Sequence, residues 1–303
     1  MKIRTLAVAM TAAAATVLVP ATAHAYTGYV VSWAGNNDHG QANVPAALFA
    51  GATDIAVGTT HALAVKNGAV LAWGSNNWGE TSVPAAAASG VTKVAASNTH
   101  SLAVKNGGVI AWGESGLGQT VVPAAAQSGV VAVAAGIGFS AALKADGTAL
   151  TWGAALTQVT LSGVKAISAG PLEFLALKND GTIIEYDRTV PVPLQTPNTT
   201  GLPIVAIKAG SWHHAALTAT GHVITWVRGS ATPVETSPSF SSNVRSLGGF
   251  SPKYGVVTHT NGSIEVRDMN TGATITPPAP LQSGVDRVDV GYTPDILWVV
   301  GLK

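Results

Sequence analysis

A unit of about 40 residues recurs seven times along this 303-residue chain, and that period restricts the fold more than any other feature. Its marker closes a short apolar run: Trp33, Trp73, Trp112, Trp152, Tyr186 and Trp226, with Val266 in the last slot. The spacings are 40, 39, 40, 34, 40 and 40. A fixed period of this size built from β-rich runs means a propeller or a solenoid. Function then moves from a catalytic pocket to a surface.

Each unit holds three readable runs. The first is apolar and ends in a small residue, as in Ile55-Ala56-Val57-Gly58 and Val133-Ala134-Ala135-Gly136. The second follows a short loop, as in His61 to Lys66. The third follows Asn67-Gly68, Asn106-Gly107, Asp146-Gly147, Asp180-Gly181 or Asn261-Gly262. Asn-Gly and Asp-Gly between alternating apolar residues signal hairpins with type I′ turns. The later connections carry Val44-Pro45, Val83-Pro84 and Val122-Pro123. Proline has no N–H to give a sheet, so these segments read as outer, fourth strands. Four short strands in each of seven units predict an all-β, seven-bladed β-propeller. The chain opens on a third-type strand, Val30 to Trp33, and ends on a second-type run around Trp298. The N-terminal strand is therefore expected to complete the last blade and remove the open edges.

Residues 1–25 read as a signal peptide: Lys2 and Arg4, an apolar run from Leu6 to Leu18, then Ala23-His24-Ala25 as the cleavage site. Residues 26–303 form the propeller, a monomer, secreted and not inserted in a membrane. With no cysteine, a secreted chain of this kind relies on its core and on ring closure. Only 10% of residues are charged and no basic stripe is visible, which argues against nucleic-acid binding.

The recurring Trp residues read as packing between blades. His61, His100 and His213 or His214 occupy equivalent positions, but Phe139 and Phe174 stand there in neighbouring units, so no metal ring is expected. Gly136 to Ala141 matches a loose dinucleotide fingerprint, yet a strand and a turn follow it where a helix is required. No nucleophile elbow, zinc-protease or P-loop motif is present. Neither a catalytic residue nor a cofactor is expected. A glycan-active propeller enzyme stays as the alternative class; it would need two carboxylates converging at the channel mouth.

The stretches VVSWAGNNDHGQANVPAAL (30–48), THSLAVKNGGVIAWG (99–113) and GQTVVPAAAQSGV (118–130) resemble the regulator-of-chromosome-condensation type repeat family, and within it the secreted propellers that inhibit class A β-lactamases. The resemblance implies a seven-bladed propeller, and a protein partner, a class A β-lactamase, whose active site is covered sterically. An unrelated protein or cell-surface target is the alternative. The contact residues it implies lie in two loop sets, one after the Trp-Gly and one after the first strand: Asn36, Asn37, Asp38, His39, Asn77, Trp78, Glu173, Trp212, Phe250 and Tyr292. Thr59-Thr60 and Asn98-Thr99 stand where that group has aromatic pairs, and Gly138 where it has a contact Trp.

Overall fold

The computed structural model describes residues 28–34, 37–153, 159–190, 192–232, 240–291 and 297–303. The leader expected at 1–25, and Asn36 and Tyr292 of the expected contacts, lie outside these residues.

The described residues form seven antiparallel sheets, the blades of a propeller. In blade 1 the inner, middle and outer strands are Ala52–Val57, His61–Lys66 and Ala69–Gly74. Blades 2 to 6 repeat this order within residues 91–113, 130–161, 164–194, 204–227 and 244–275. Blade 7 is assembled from both ends of the chain. Arg287–Val290 pairs with Trp298–Leu302, and Val30–Ala34 pairs with the latter in register Trp33 to Val299. The expected closure is found, and it covers the strand edges that an open ring would expose.

Backbone bonds stitch each blade to the next. In blades 1 to 3 the carbonyl of the hairpin glycine accepts the N–H that starts the following inner strand: Gly68 from Val91 at 2.8 Å, Gly107 from Val130 at 2.8 Å and Gly147 from Val164 at 2.9 Å. Side chains add further ties along the channel. Asp54 accepts from Val94 N–H at 2.8 Å, Asp289 from Val57 N–H at 2.9 Å, and Ser168 from Ala209 N–H at 3.0 Å. The apolar core divides into clusters that each join neighbouring blades, with Trp73, Trp112, Trp152 and Trp226 buried among them. Trp33 is half-buried against the cluster of blades 6 and 7.

Three expectations change. First, among the described residues only blades 3, 4 and 6 gain a fourth strand, each two residues long: Thr160–Leu161, Pro193–Leu194 and Thr274–Ile275. The Val-Pro segments enter 3-10 turns instead, because the proline carbonyl is taken locally: Pro45 by Leu48 N–H at 2.8 Å, Pro84 by Ala87 and Pro123 by Ala126 at 2.9 Å. Each turn drops one residue into the core; Leu48, Ala87 and Ala126 are fully buried. Second, only Asn67-Gly68 and Asn106-Gly107 place both residues at positive φ, as type I′ requires. At Gly147, Gly181 and Gly262 one residue more precedes the turn and only the glycine is left-handed. There Asp146, Asp180 and Asn261 accept the N–H two residues on, at 2.9 Å each. Third, register pairs Gly255 with Arg267 where other blades carry Trp, so Val266 lies one place before that slot.

Candidate binding face

The two loop sets lie side by side on one face. A backbone bond joins them in blade after blade: Ser75 N–H to Thr60 O at 2.9 Å, Glu114 to Thr99 at 3.0 Å, Arg188 to Leu172 at 2.8 Å and Arg228 to Trp212 at 3.0 Å.

A repeated device shapes the first three outer loops. Gln41, Glu80 and Gln119 are buried, and their carbonyls accept the indole N–H of Trp73, Trp112 and Trp152, at 2.9 Å each. Their side chains turn back and accept the backbone N–H two residues earlier: His39 at 3.0 Å, Trp78 at 2.7 Å and Leu117 at 2.9 Å. Gripped by the backbone, those three residues point outward. Trp78 is 57% exposed and Leu117 46%. This trio of buried polar residues was missed in the sequence, although Gly-Gln or Gly-Glu recurs at a spacing of 39.

The expected contacts divide three ways. Asp38, His39, Asn77 and Trp78 are exposed on the outer loops, and Trp212 is 52% exposed on the inner loop of blade 5. Asn37 is half-buried and holds its own loop, bonding Asn43 at 2.9 Å and Ala42 N–H at 2.8 Å. Glu173 and Phe250 are corrected. Phe250 ends an inner strand, is 1% exposed and packs edge-on against Phe240 at 5.7 Å. Glu173 opens a middle strand and is fully buried. Each falls inside a strand, where the sequence predicts a loop.

Glu173 belongs to a buried ionic group between blades 4 and 5. Arg228 reaches Glu173 at 2.8 Å and its cross-strand partner Asp187 at 2.7 Å. Burial lifts the Glu173 carboxyl above its usual range, against the pull of His214 and Arg228. Glu185 sits beside His214 at 3.4 Å and accepts from Trp226 at 3.2 Å. Both carboxylates of the cross-strand pair are fully buried and engaged by one guanidinium, which gives them no open path to a substrate.

A second polar chain joins the inner loops of blades 1 to 3. His61 and His100 are fully buried, and their Nε2 atoms lie 2.9 Å from the hydroxyls of Ser101 and Ser140. Those hydroxyls donate onward to the carbonyls of Glu80 and Gln119 at 2.8 Å, so each imidazole is the donor to its serine. Burial pushes His61 down to about 4, partly offset by Glu80, and His100 down to about 3, with His61 adding to the effect. Register puts Glu173 and His213 in the equivalent slot of blades 4 and 5, with Phe174 one place further on. Among the described residues no group of His, Asp and Glu is arranged to hold a metal ion.

No protein-family model matches the chain, and no curated protein does. Solved structures do. Yeast RCC1 (Prp20), crystallised with Kap60, matches with a TM-score of 0.70 at 16% identity, over 92% of this chain and 90% of that one. Prp20p of Saccharomyces cerevisiae gives 0.67 at 17%, over 92% of each. Human WBSCR16 gives 0.62 at 18%, over 83% of this chain and 86% of that one. The chain has the fold of the RCC1-type seven-bladed propellers.

Proposed function

We propose that this chain is a secreted, non-enzymatic propeller that binds a protein through its loop face, and that the partner is a class A β-lactamase whose active-site mouth the face covers. One observation carries the reading: two tryptophans more than half exposed on that face, Trp78 beyond blade 1 and Trp212 in blade 5. In a ring of seven blades these positions stand on opposite sides of the central channel. A partner touching both spans the channel mouth, which fits a standard interface of about 800 Å² per side. Exposed Trp at the centre of such a surface is the usual hot-spot residue.

Solved examples of the fold include a complex with Kap60 and a propeller that binds Gsp1p and histones, so this architecture serves protein recognition elsewhere. The β-lactamase assignment rests on the resemblance to β-lactamase inhibitory protein II in the first three repeats, with Trp78 and Trp212 retaining that residue type. Titration of residues 26–303 into a panel of class A β-lactamases, read by nitrocefin hydrolysis, tests it. Inhibition of any member is expected; a panel untouched at about 10 μM, far above the Kd of a specific complex, removes the β-lactamase label.

A further inference from the structure

The face opposite the loops is strongly basic, although the whole chain carries a net charge of only +1. Register explains the segregation. Lys66, Lys105, Lys144 and Lys178 end the middle strands of blades 1 to 4, and Lys303 follows that of blade 7. The first four stand beside hairpin turns, and Lys303 holds the matching place at the chain end. Lys93, Lys165, Arg245 and Arg287 lie at the starts of inner strands, opposite the ends of the middle strands. The carboxylates at this level are Asp54, Asp146, Asp180 and Asp286. Nine cations against four carboxylates leave a side-chain net charge of +5 among the described residues.

The cations form a ring and not a stripe. Lys66, Lys105 and Lys303 are braced on the carbonyls of Ala47, Ala86 and Pro280, which fixes the ammonium groups without discharging them. Exposed apolar side chains flank the inner-strand starts: Val131, Val205, Leu202 and Phe49, each more than 40% exposed. A linear polyanion needs a groove or a track of charge. Lysines dispersed around the blades, with exposed apolar points between them, complement an extended anionic surface, where each cation near the plane adds to the attraction.

We propose that the hairpin face docks on an anionic lipid bilayer, holding the propeller with its loop face outward. Adsorption is peripheral: no helix among the described residues is long and apolar enough to cross a membrane. The test uses residues 26–303, which contain every strand of the closed ring and lack the apolar leader run. The protein should sediment with vesicles of equal parts phosphatidylglycerol and phosphatidylcholine at low salt, stay in solution with phosphatidylcholine alone, and be released by added salt. Lys144→Glu with Lys165→Glu and Lys178→Glu turns the face from +5 to −1 and should lower the partition coefficient about a hundredfold or more. Trp78→Ala, on the other face, should partition as the parent does. Equal binding by parent and triple variant, with both melting alike, overturns the proposal. So does capture by soluble polyphosphate without capture by vesicles, which would assign the ring to a phosphate polymer instead.

Discussion

Acid should weaken this propeller through two histidines. In the unfolded chain an imidazole titrates near 6.5, whereas in the folded protein burial holds His61 near about 4 and His100 near about 3. Between these values the unfolded state binds more protons than the native state. Stability is therefore undiminished above about pH 6.5 and falls as pH drops towards the folded values. At about pH 5 each histidine costs about 2 kcal/mol, or about 4 kcal/mol for the pair. For a domain of this size that lowers Tm by about 10 °C relative to about pH 7.5. His213, whose pKa burial also lowers, acts with the same sign. The control is His61→Gln with His100→Gln: the amide can donate to Ser101 and Ser140 and does not titrate. Differential scanning calorimetry across this range should show the double variant losing about 10 °C less Tm than the parent. Identical slopes would refute the assignment of the acid sensitivity to these two side chains.

Other consequences follow from the same contacts. Arg228→Met leaves Glu173 and Asp187 buried without their cation and should cost about 3–5 kcal/mol in urea unfolding at neutral pH. Part of the loss should return on acidification, because protonating a buried carboxylate relieves it. Gly74→Ala puts a methyl 2.4 Å from the Thr60 carbonyl, at a φ of +99°, and should lower Tm by more than Gly201→Ala, where φ is also positive, at +81°, but nothing lies within 4 Å. Removing residues 28–34 strips blade 7 of its outer strand, exposes the edge of Trp298–Leu302 and should convert a sharp thermal transition into a broad, aggregating one. Glu80→Ala frees the Trp78 N–H and the Ser75 hydroxyl, so it should weaken partner binding without changing the exposed surface chemistry; Glu80→Gln, which keeps an acceptor, should restore most of it.

The period, the hairpins and the ring closure were legible because each rests on local chemistry repeated in register. Asn67-Gly68 needs two left-handed residues whatever surrounds it, and Trp73, Trp112 and Trp152 recur at one strand end. What was not legible turns on a shift of one residue or on which acceptor a backbone N–H finds. Asp146-Gly147 resembles Asn67-Gly68 as a dipeptide, yet one added residue turns it into a bulged turn. The Val-Pro segments alternate like strands but spend their hydrogen bonds on a 3-10 turn. Of the contact residues, Trp78 and Trp212 were readable as loop positions. Glu173 and Phe250 were not, because strand boundaries shift by a residue or two, and one step separates an exposed loop from a buried strand end. Arg267 escaped as the seventh member of the Trp slot since blade 6 replaces an indole by a guanidinium. The basic face was hidden for another reason: a net charge near zero conceals charges that register sorts to one side.

The most direct test of the central claim is equilibrium binding of residues 26–303, and of a Trp78→Ala, Trp212→Ala variant, to a class A β-lactamase with its active site free or occupied by a covalent inhibitor. Loop-face occlusion predicts tight binding by the parent, a loss of at least about thirtyfold for each Trp removed, and no change in the fold of the variant. Unaltered affinity in the double variant, or the absence of binding to any enzyme of the panel, would contradict it.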